Sequence, residues 1–346
     1  VAIGKENHID LYIDAIFTEM IKYRREKVSS IYIGGGTPTH MNEDQLLKLI
    51  EGVKRHFILT ENTEFTVEAN PEDFTDHKMR LLFRNGVNRI SLGVQSLNNE
   101  FLTYLGRKHT AHQAADRYQA LRQVGFDNVS CDLMYAFPGQ TLRHLKEDVY
   151  KVCQWGCDHI SLYTLTVEEK SRFFVRKIPQ VSPYKQSRQY ELVRLTLENA
   201  GYQQYEISNF ARQGKSSQHN INCWRGGNYI GLGVSAHSHI NGIRFWNEDR
   251  LQTYIECIKK QGHAIKGREQ LTPAEKLRET VLLGLRMNEG VDLETWERHF
   301  GIKLSEEFYQ SISEFVDRKF FIWQPPKLTV SDSGRLVLDE ICSKLI

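Results

Sequence analysis

Over the first half of the chain, short apolar or β-branched runs alternate with longer stretches of helical period. The runs predict strands at 30–34, 63–68, 88–94, 128–134 and 158–165. The intervening stretches predict amphipathic helices near 43–57, 75–85, 110–124 and 141–155, the first with Leu46, Ile50, Val53 and Phe57 on one face. Thr110 and Thr141 sit where N-caps belong, and Gly86, Gly125 and Gly156 where helices end. The strands read as nearly all apolar or β-branched, as for parallel strands covered on both faces. Strand–helix alternation of this kind predicts an α/β fold with a parallel sheet and right-handed crossovers.

After residue 166 the pattern changes. A helix is expected at 183–200, followed by a Gly-, Asn- and Ser-rich stretch (203–242) without clear periodicity. From Thr272 a new unit begins, with helices near 273–287, 292–299 and 304–318. Two short strands (320–323 and 327–330), separated by Pro325-Pro326, and a closing helix complete it. This tail reads as a small winged-helix-like α+β domain for packing or docking.

Composition changes the picture mainly by exclusion. The 346 residues carry 45 Lys+Arg against 43 Asp+Glu, a net charge of +2, so charge gives no argument for nucleic acid or an acidic membrane. No apolar run approaches the roughly 18 residues of a transmembrane segment, and no signal-peptide order opens the chain. The six cysteines show no disulfide spacing, so a reducing, cytoplasmic setting is expected. Cys153 and Cys157 resemble a metal pair, but they lie on a helical pattern (Leu142, Leu145, Val149, Val152) and no third thiol completes the set; they read as packing residues.

The candidate chemistry lies at the strand ends. Ile31-Tyr32-Ile33 runs into Gly34-Gly35-Gly36-Thr37-Pro38, where bare backbone can approach a ligand closely. A glycine turn chosen only for its dihedrals is the competing reading. Four more strands end in polar groups: Glu68, Gln95, Asp132 within the fourth strand, and Tyr163 with Thr166 after the fifth. Arg107 follows the third strand. Chemistry gathered at the C-terminal ends of strands is the barrel-enzyme arrangement. A carboxylate and an amide suit an amine and hydroxyls, Arg107 suits a carboxylate through its planar fork, and an Asp inside an apolar strand suits ribose. An amino-acid head joined to a nucleoside points to S-adenosylmethionine.

At these residues the chain resembles the radical S-adenosylmethionine superfamily, in the group of oxygen-independent coproporphyrinogen III oxidase and the HemW haem chaperones. Gly34 to Pro38 is similar to its GGGTP motif. Val67-Glu68-Ala69-Asn70-Pro71 and Ser91-Leu92-Gly93-Val94-Gln95-Ser96 resemble its second and third motifs. The resemblance implies a partial (β/α)6 TIM-like barrel and S-adenosylmethionine contacts from Gly35, Gly36, Thr37, Glu68, Gln95, Arg107 and Asp132, with Thr166 and His237 near the adenine. It implies a division into a barrel (1–170), a barrel extension and linker (171–268) and a C-terminal accessory domain (269–346).

One departure is large. The C-x-x-x-C-x-x-C loop that holds the family's [4Fe–4S] cluster is absent, so no metal ligand is expected in this chain. That loop and the first barrel strand are expected upstream of Val1, since a barrel without its first strand exposes an unpaired edge; natural loss is the alternative. Between oxidase and chaperone, the sequence leaves little room for the oxidase's N-terminal arm. It carries His219-Asn220-Ile221-Asn222-Cys223-Trp224, similar to the HNxxYW motif of HemW-type proteins, with Cys223 in place of Tyr. Without that resemblance, His219 reads as a hydrogen-bonded loop histidine. With it, His219, Cys223 and Trp224 are the expected haem residues, and transfer of haem to acceptor proteins is the expected function. Radical decarboxylation of coproporphyrinogen is the alternative, and a degenerate barrel acting only as an interaction scaffold is the third reading.

Overall fold

A computed structural model describes residues 8–345, apart from 168, 170, 171 and 176. The chain runs α1 (Ile9–Met20), β1 (Ser30–Ile33), α2 (Glu43–His56), β2 (Glu64–Ala69), α3 (Asp76–Arg84), β3 (Arg89–Gln95) and α4 (Asn99–Leu105). It continues through α5 (Ala111–Val124), β4 (Val129–Tyr135), α6 (Leu142–Trp155), β5 (His159–Thr164), α7 (Arg172–Val175) and α8 (Pro183–Asn199). Next come β6 (Gln203–Glu206), β7 (Asn209–Ala211), α9 (Gln218–Trp224), β8 (His237–Ile240), β9 (Ile243–Asn247), α10 (Leu251–Gln261) and β10 (Ile265–Gln270). The C-terminal unit holds α11 (Pro273–Gly284), β11 (Val291–Asp292), α12 (Leu293–Phe300), α13 (Glu306–Asp317), β12 (Phe321–Gln324), β13 (Lys327–Val330), α14 (Asp332–Arg335) and α15 (Leu338–Leu345). Among the described residues no helix is long and apolar enough to cross a membrane.

The main sheet has the order β1-β2-β3-β4-β5-β7-β6 and curls into a half-barrel. Its first five strands are parallel, and the β6–β7 hairpin joins β5 antiparallel. Two three-stranded antiparallel sheets, β10-β9-β8 and β11-β13-β12, complete the fold.

The parallel strands are not apolar on both faces, contrary to the sequence reading. Ile31, Ile33, Phe65, Val67, Ile90, Leu92, Val94, Val129, Cys131, Leu133, Ile160 and Leu162 lie in the core under the helices. The residues between them (Tyr32, Thr66, Glu68, Arg89, Ser91, Ser130, Asp132, His159 and Ser161) are polar and share the opposite, concave face. Period-two alternation puts one set on each side of the sheet.

The expected helices form where local chemistry starts and stops them. Asn42–Gln45, Thr110–Gln113 and Thr141–His144 make reciprocal capping boxes, while Gly125 and Gly156 close α5 and α6 in the left-handed conformation. Unforeseen were α1, α4 and all five strands from β6 to β10. The second sheet and α10 are held to α1 by an apolar cluster around Ala15, Ile255 and Ile258 and by a buried carboxylate. Buried Glu19 on α1 accepts from Gly233 N (2.9 Å), Asn247 Nδ2 (2.6 Å) and the Tyr254 hydroxyl (2.6 Å).

Leu92 is fully buried beneath the helices. Leu92→Ala should lower the unfolding free energy by about 2–5 kcal/mol in a urea titration. A loss below about 1 kcal/mol would contradict the packing of this face.

Candidate functional site

The open rim of the half-barrel gathers most of the strand-end residues through direct hydrogen bonds. Glu68 is the hub. Its Oε1 accepts from the Tyr32 hydroxyl (2.9 Å) and its Oε2 from the Gly35 amide (3.2 Å). Gly34 cannot be larger: a Cβ there would lie 2.5 Å from Glu68 Cδ, and the next residue, Gly35, has φ +77°. Thr37 Oγ1 accepts from Asn70 Nδ2 (3.1 Å), and Asn70 Oδ1 accepts from Arg107 Nη1 (3.2 Å). That is the one hydrogen bond of Arg107's side chain among the described residues, so most of its five-donor fork is uncommitted. Burial lowers the Arg107 pKa, opposed by the charges of Glu72 and Asp132. Burial likewise raises the carboxyl of Glu68, with Asp132 adding to the rise and the Tyr32 and Gly35 hydrogen bonds opposing it.

Gln95 joins the rim through a distortion. The β3–β4 register shifts between Leu92 and Gln95, and Gln95 takes φ +65°, a strained value for a residue with a Cβ. Its amide lies over Gly93, where a Cβ would sit 2.9 Å from both Gln95 Nε2 and Asn70 Oδ1. Gly36 is exposed on the rim. Below it, Asp132 accepts from Ser91 Oγ (2.9 Å) and Ser130 Oγ (3.2 Å). Burial pushes its carboxyl up, and the serine hydroxyls oppose the rise.

Two expected residues stand apart. Thr166 is exposed after β5, and exposed His237 begins β8, stacked on Trp246 at 5.9 Å. Among the described residues, neither shares a hydrogen bond with the rim group.

The haem-motif residues form α9, which packs on β1 at the end of the sheet. Its N-terminus is anchored by Glu64, which accepts from Ser217 Oγ (3.1 Å), Gln218 N (2.9 Å) and His219 N (3.1 Å). The His219 ring stacks on Tyr32 at 5.0 Å, with Nδ1 3.4 Å from Ser30 Oγ and Nε2 3.9 Å from Cys223 Sγ. Burial lowers the His219 pKa and raises that of Cys223, favouring a neutral imidazole and a protonated thiol. The Arg286 guanidinium covers Trp224 at 4.6 Å, tying α9 to the C-terminal unit.

The sequence reading missed Tyr32, Glu64, His159 and Tyr205. The first three were visible as polar positions alternating with apolar ones. Tyr205 carried no signal of its own.

The cysteine reading agrees with the structure. Cys131 and Cys157 are buried with Sγ atoms 2.6 Å apart, and burial pushes the Cys153 thiol up to about 11. Among the described residues no three His, Cys, Asp or Glu side chains converge on a metal position. The described residues therefore do not fit a cluster, and no radical step is assigned to them. A nucleoside with an amino-acid head does fit the rim, where an acid, an uncommitted guanidinium and bare glycine backbone meet.

Comparison with known proteins identifies the lineage. The Radical SAM superfamily model matches residues 4–151 and the HemN C-terminal domain model residues 271–337. Heme chaperone HemW of Lactococcus lactis is 35% identical over 94% of this chain and 86% of its own. The Bacillus subtilis heme chaperone HemW is 33% identical over 96% and 90%. The chain belongs to the HemW/HemN-like family of radical S-adenosylmethionine proteins. Membership implies S-adenosylmethionine and a [4Fe–4S] cluster as the family's cofactors. Coproporphyrinogen III oxidase (HemN) of Escherichia coli shares the fold, with a TM-score of 0.88 over 100% of this chain and 85% of that one, at 23% identity.

Because burial depresses the His219 pKa, its imidazole should protonate with a midpoint below the ordinary value of about 6.5. An NMR titration, with the signal assigned by His219→Asn, should show this. A midpoint at or above 6.5 would contradict the burial of the ring.

Proposed function

We propose that this chain is a HemW-type haem chaperone of the cytoplasm, binding S-adenosylmethionine at the half-barrel rim and haem at α9, and passing haem to an acceptor protein. At the rim, Glu68 holds the ligand ammonium beside the backbone of Gly35, Gly36 and Thr37. Arg107 takes the carboxylate, and Asp132 the ribose hydroxyls. Gln95 lies alongside, and Thr166 and His237 are the adenine-side residues. Asn70 positions Thr37 and Arg107 with respect to each other.

The observation that carries the chaperone reading is the half-buried imidazole of His219 on α9, which burial favours in its neutral form. In the tautomer in which Nδ1–H donates to Ser30 Oγ, the Nε2 lone pair is available to haem iron, an axial ligation for which a neutral imidazole is required. Cys223, kept protonated by burial, is the weaker ligand because metals bind the thiolate. Trp224 supplies apolar surface beside the porphyrin. The names of the 33–35% identical relatives support the same reading.

For the haem site, titration of wild type, His219→Ala and Cys223→Ser should show a loss of affinity of at least tenfold only in His219→Ala. Unchanged affinity there would remove His219 from the site. Conversion of coproporphyrinogen to protoporphyrinogen, assayed anaerobically with reductant and S-adenosylmethionine, would overturn the chaperone reading in favour of the oxidase. For the rim, Arg107→Ala should weaken S-adenosylmethionine binding by about 1.5–3 kcal/mol in calorimetry, the range for a charged hydrogen bond. Unchanged affinity in both Arg107→Ala and Asp132→Ala would exclude this rim as the site.

A further inference from the structure

Among the described residues, Tyr32 is the one side chain on the concave face that touches both candidate sites. Its hydroxyl donates to Glu68 Oε1 (2.9 Å), while its ring lies against the His219 imidazole at 5.0 Å with 25° between planes. The two oxygens of Glu68 are divided, Oε2 serving the rim backbone at Gly35 and Oε1 serving Tyr32. A cation arriving at this carboxylate competes with the Tyr32 hydroxyl for Oε1.

The backbone around His219 is pinned. Glu64 holds the amides of Gln218 and His219, and the Tyr205 hydroxyl lies near the Asn220 side chain and the Ser217 backbone. Tyr205 is itself fixed by His159 Nε2 (2.9 Å), whose Nδ1 meets Ser130 Oγ (2.8 Å), and Ser130 in turn donates to Asp132 (3.2 Å). With α9 held at its start, the imidazole of His219 is the part free to follow its stacking partner. The long contact from His219 Nδ1 to Ser30 Oγ, 3.4 Å, is a weak restraint.

We infer that Tyr32 is a positioning residue that couples the charge state and occupancy of Glu68 to the orientation of the His219 imidazole, so that a cationic ligand at the rim alters binding at α9. What the two ends bind rests on the proposed function; the coupling itself rests on Tyr32. Linkage makes the effect reciprocal: whatever factor the rim ligand applies to haem affinity, haem applies to the rim ligand. Burial and the neighbouring carboxylate hold the Tyr32 phenol far above its ordinary pKa, so it remains a hydrogen-bond donor throughout the physiological range.

The test is a cycle of four full-length proteins: wild type, Glu68→Gln, Tyr32→Phe and the double variant. Both substitutions keep the side-chain shape, and Tyr32→Phe keeps the ring on His219 while removing only the hydroxyl. The first readout is the His219 imidazole NMR signal without ligand. Glu68→Gln should move it in the presence of Tyr32 and by less than a third as much in the Tyr32→Phe background. An unmoved signal in the single variant, or equal movement in both backgrounds, overturns the coupling. The second readout is haem titration, where Glu68→Gln should change Kd about 3- to 10-fold with Tyr32 and less than twofold without its hydroxyl; equal changes overturn the coupling. Absence of haem binding in all four proteins refutes the proposed function, and the NMR cycle then decides the coupling alone.

Discussion

The structure rests on strict alternation along five short parallel strands. Every second residue is apolar and packs under a helix. The others are polar and face the hollow of the half-barrel. Burying the convex face supplies the main driving force for folding. The concave face must then satisfy its own hydrogen-bonding groups. Its lower layers do so internally, as in the run from Asp132 through Ser130 and His159 to Tyr205. Its upper layer stops at the rim, where strands end and glycines replace side chains. There the polar groups are only partly paired with one another. A mouth lined by partly paired polar groups therefore follows from the same alternation that builds the core.

This alternation also explains what could be read in the sequence. The five parallel strands and their intervening helices were legible because each carries a local signal: an apolar run, a capping residue, a terminal glycine. The rim residues Gly35, Thr37, Glu68, Gln95 and Arg107 were legible as polar or glycine positions at strand ends. Tyr32, Glu64 and His159 were not singled out, since a strand judged apolar on both faces leaves them no role. The stretch from 203 to 270 was opaque for a different reason. Its strands are short, β6 and β7 completing the main sheet beside β5, and β9 reaching Glu19 through Asn247, so no apolar period marks them.

Glu64 shows how one polar residue can organise distant sequence. It opens β2 on the concave face and is buried there, where an unpaired carboxylate would be costly. It takes its partners from Ser217, Gln218 and His219, more than 150 positions later, and so fixes α9 against β1. α9 is too short to be stable alone. Its position depends on this anchor at one end and on the contact of Arg286 with Trp224 at the other. His219 is thus located by the barrel and the C-terminal unit together.

Likeness to HemN at a TM-score of 0.88 shows a shared scaffold and says nothing by itself about chemistry. The rim would serve a radical enzyme and a chaperone equally, because both must hold the same nucleoside. The distinction has to lie where the rim meets whatever else is bound. In this chain that junction is Tyr32, with a carboxylate on its hydroxyl and an imidazole on its ring. A group held between an acid and an imidazole is suited to communicating occupancy, since a change in charge on one side alters the restraint on the other. The alternation that directs Tyr32 and Glu68 to the same face makes their hydrogen bond possible, and Glu64 brings His219 within stacking distance of the same ring.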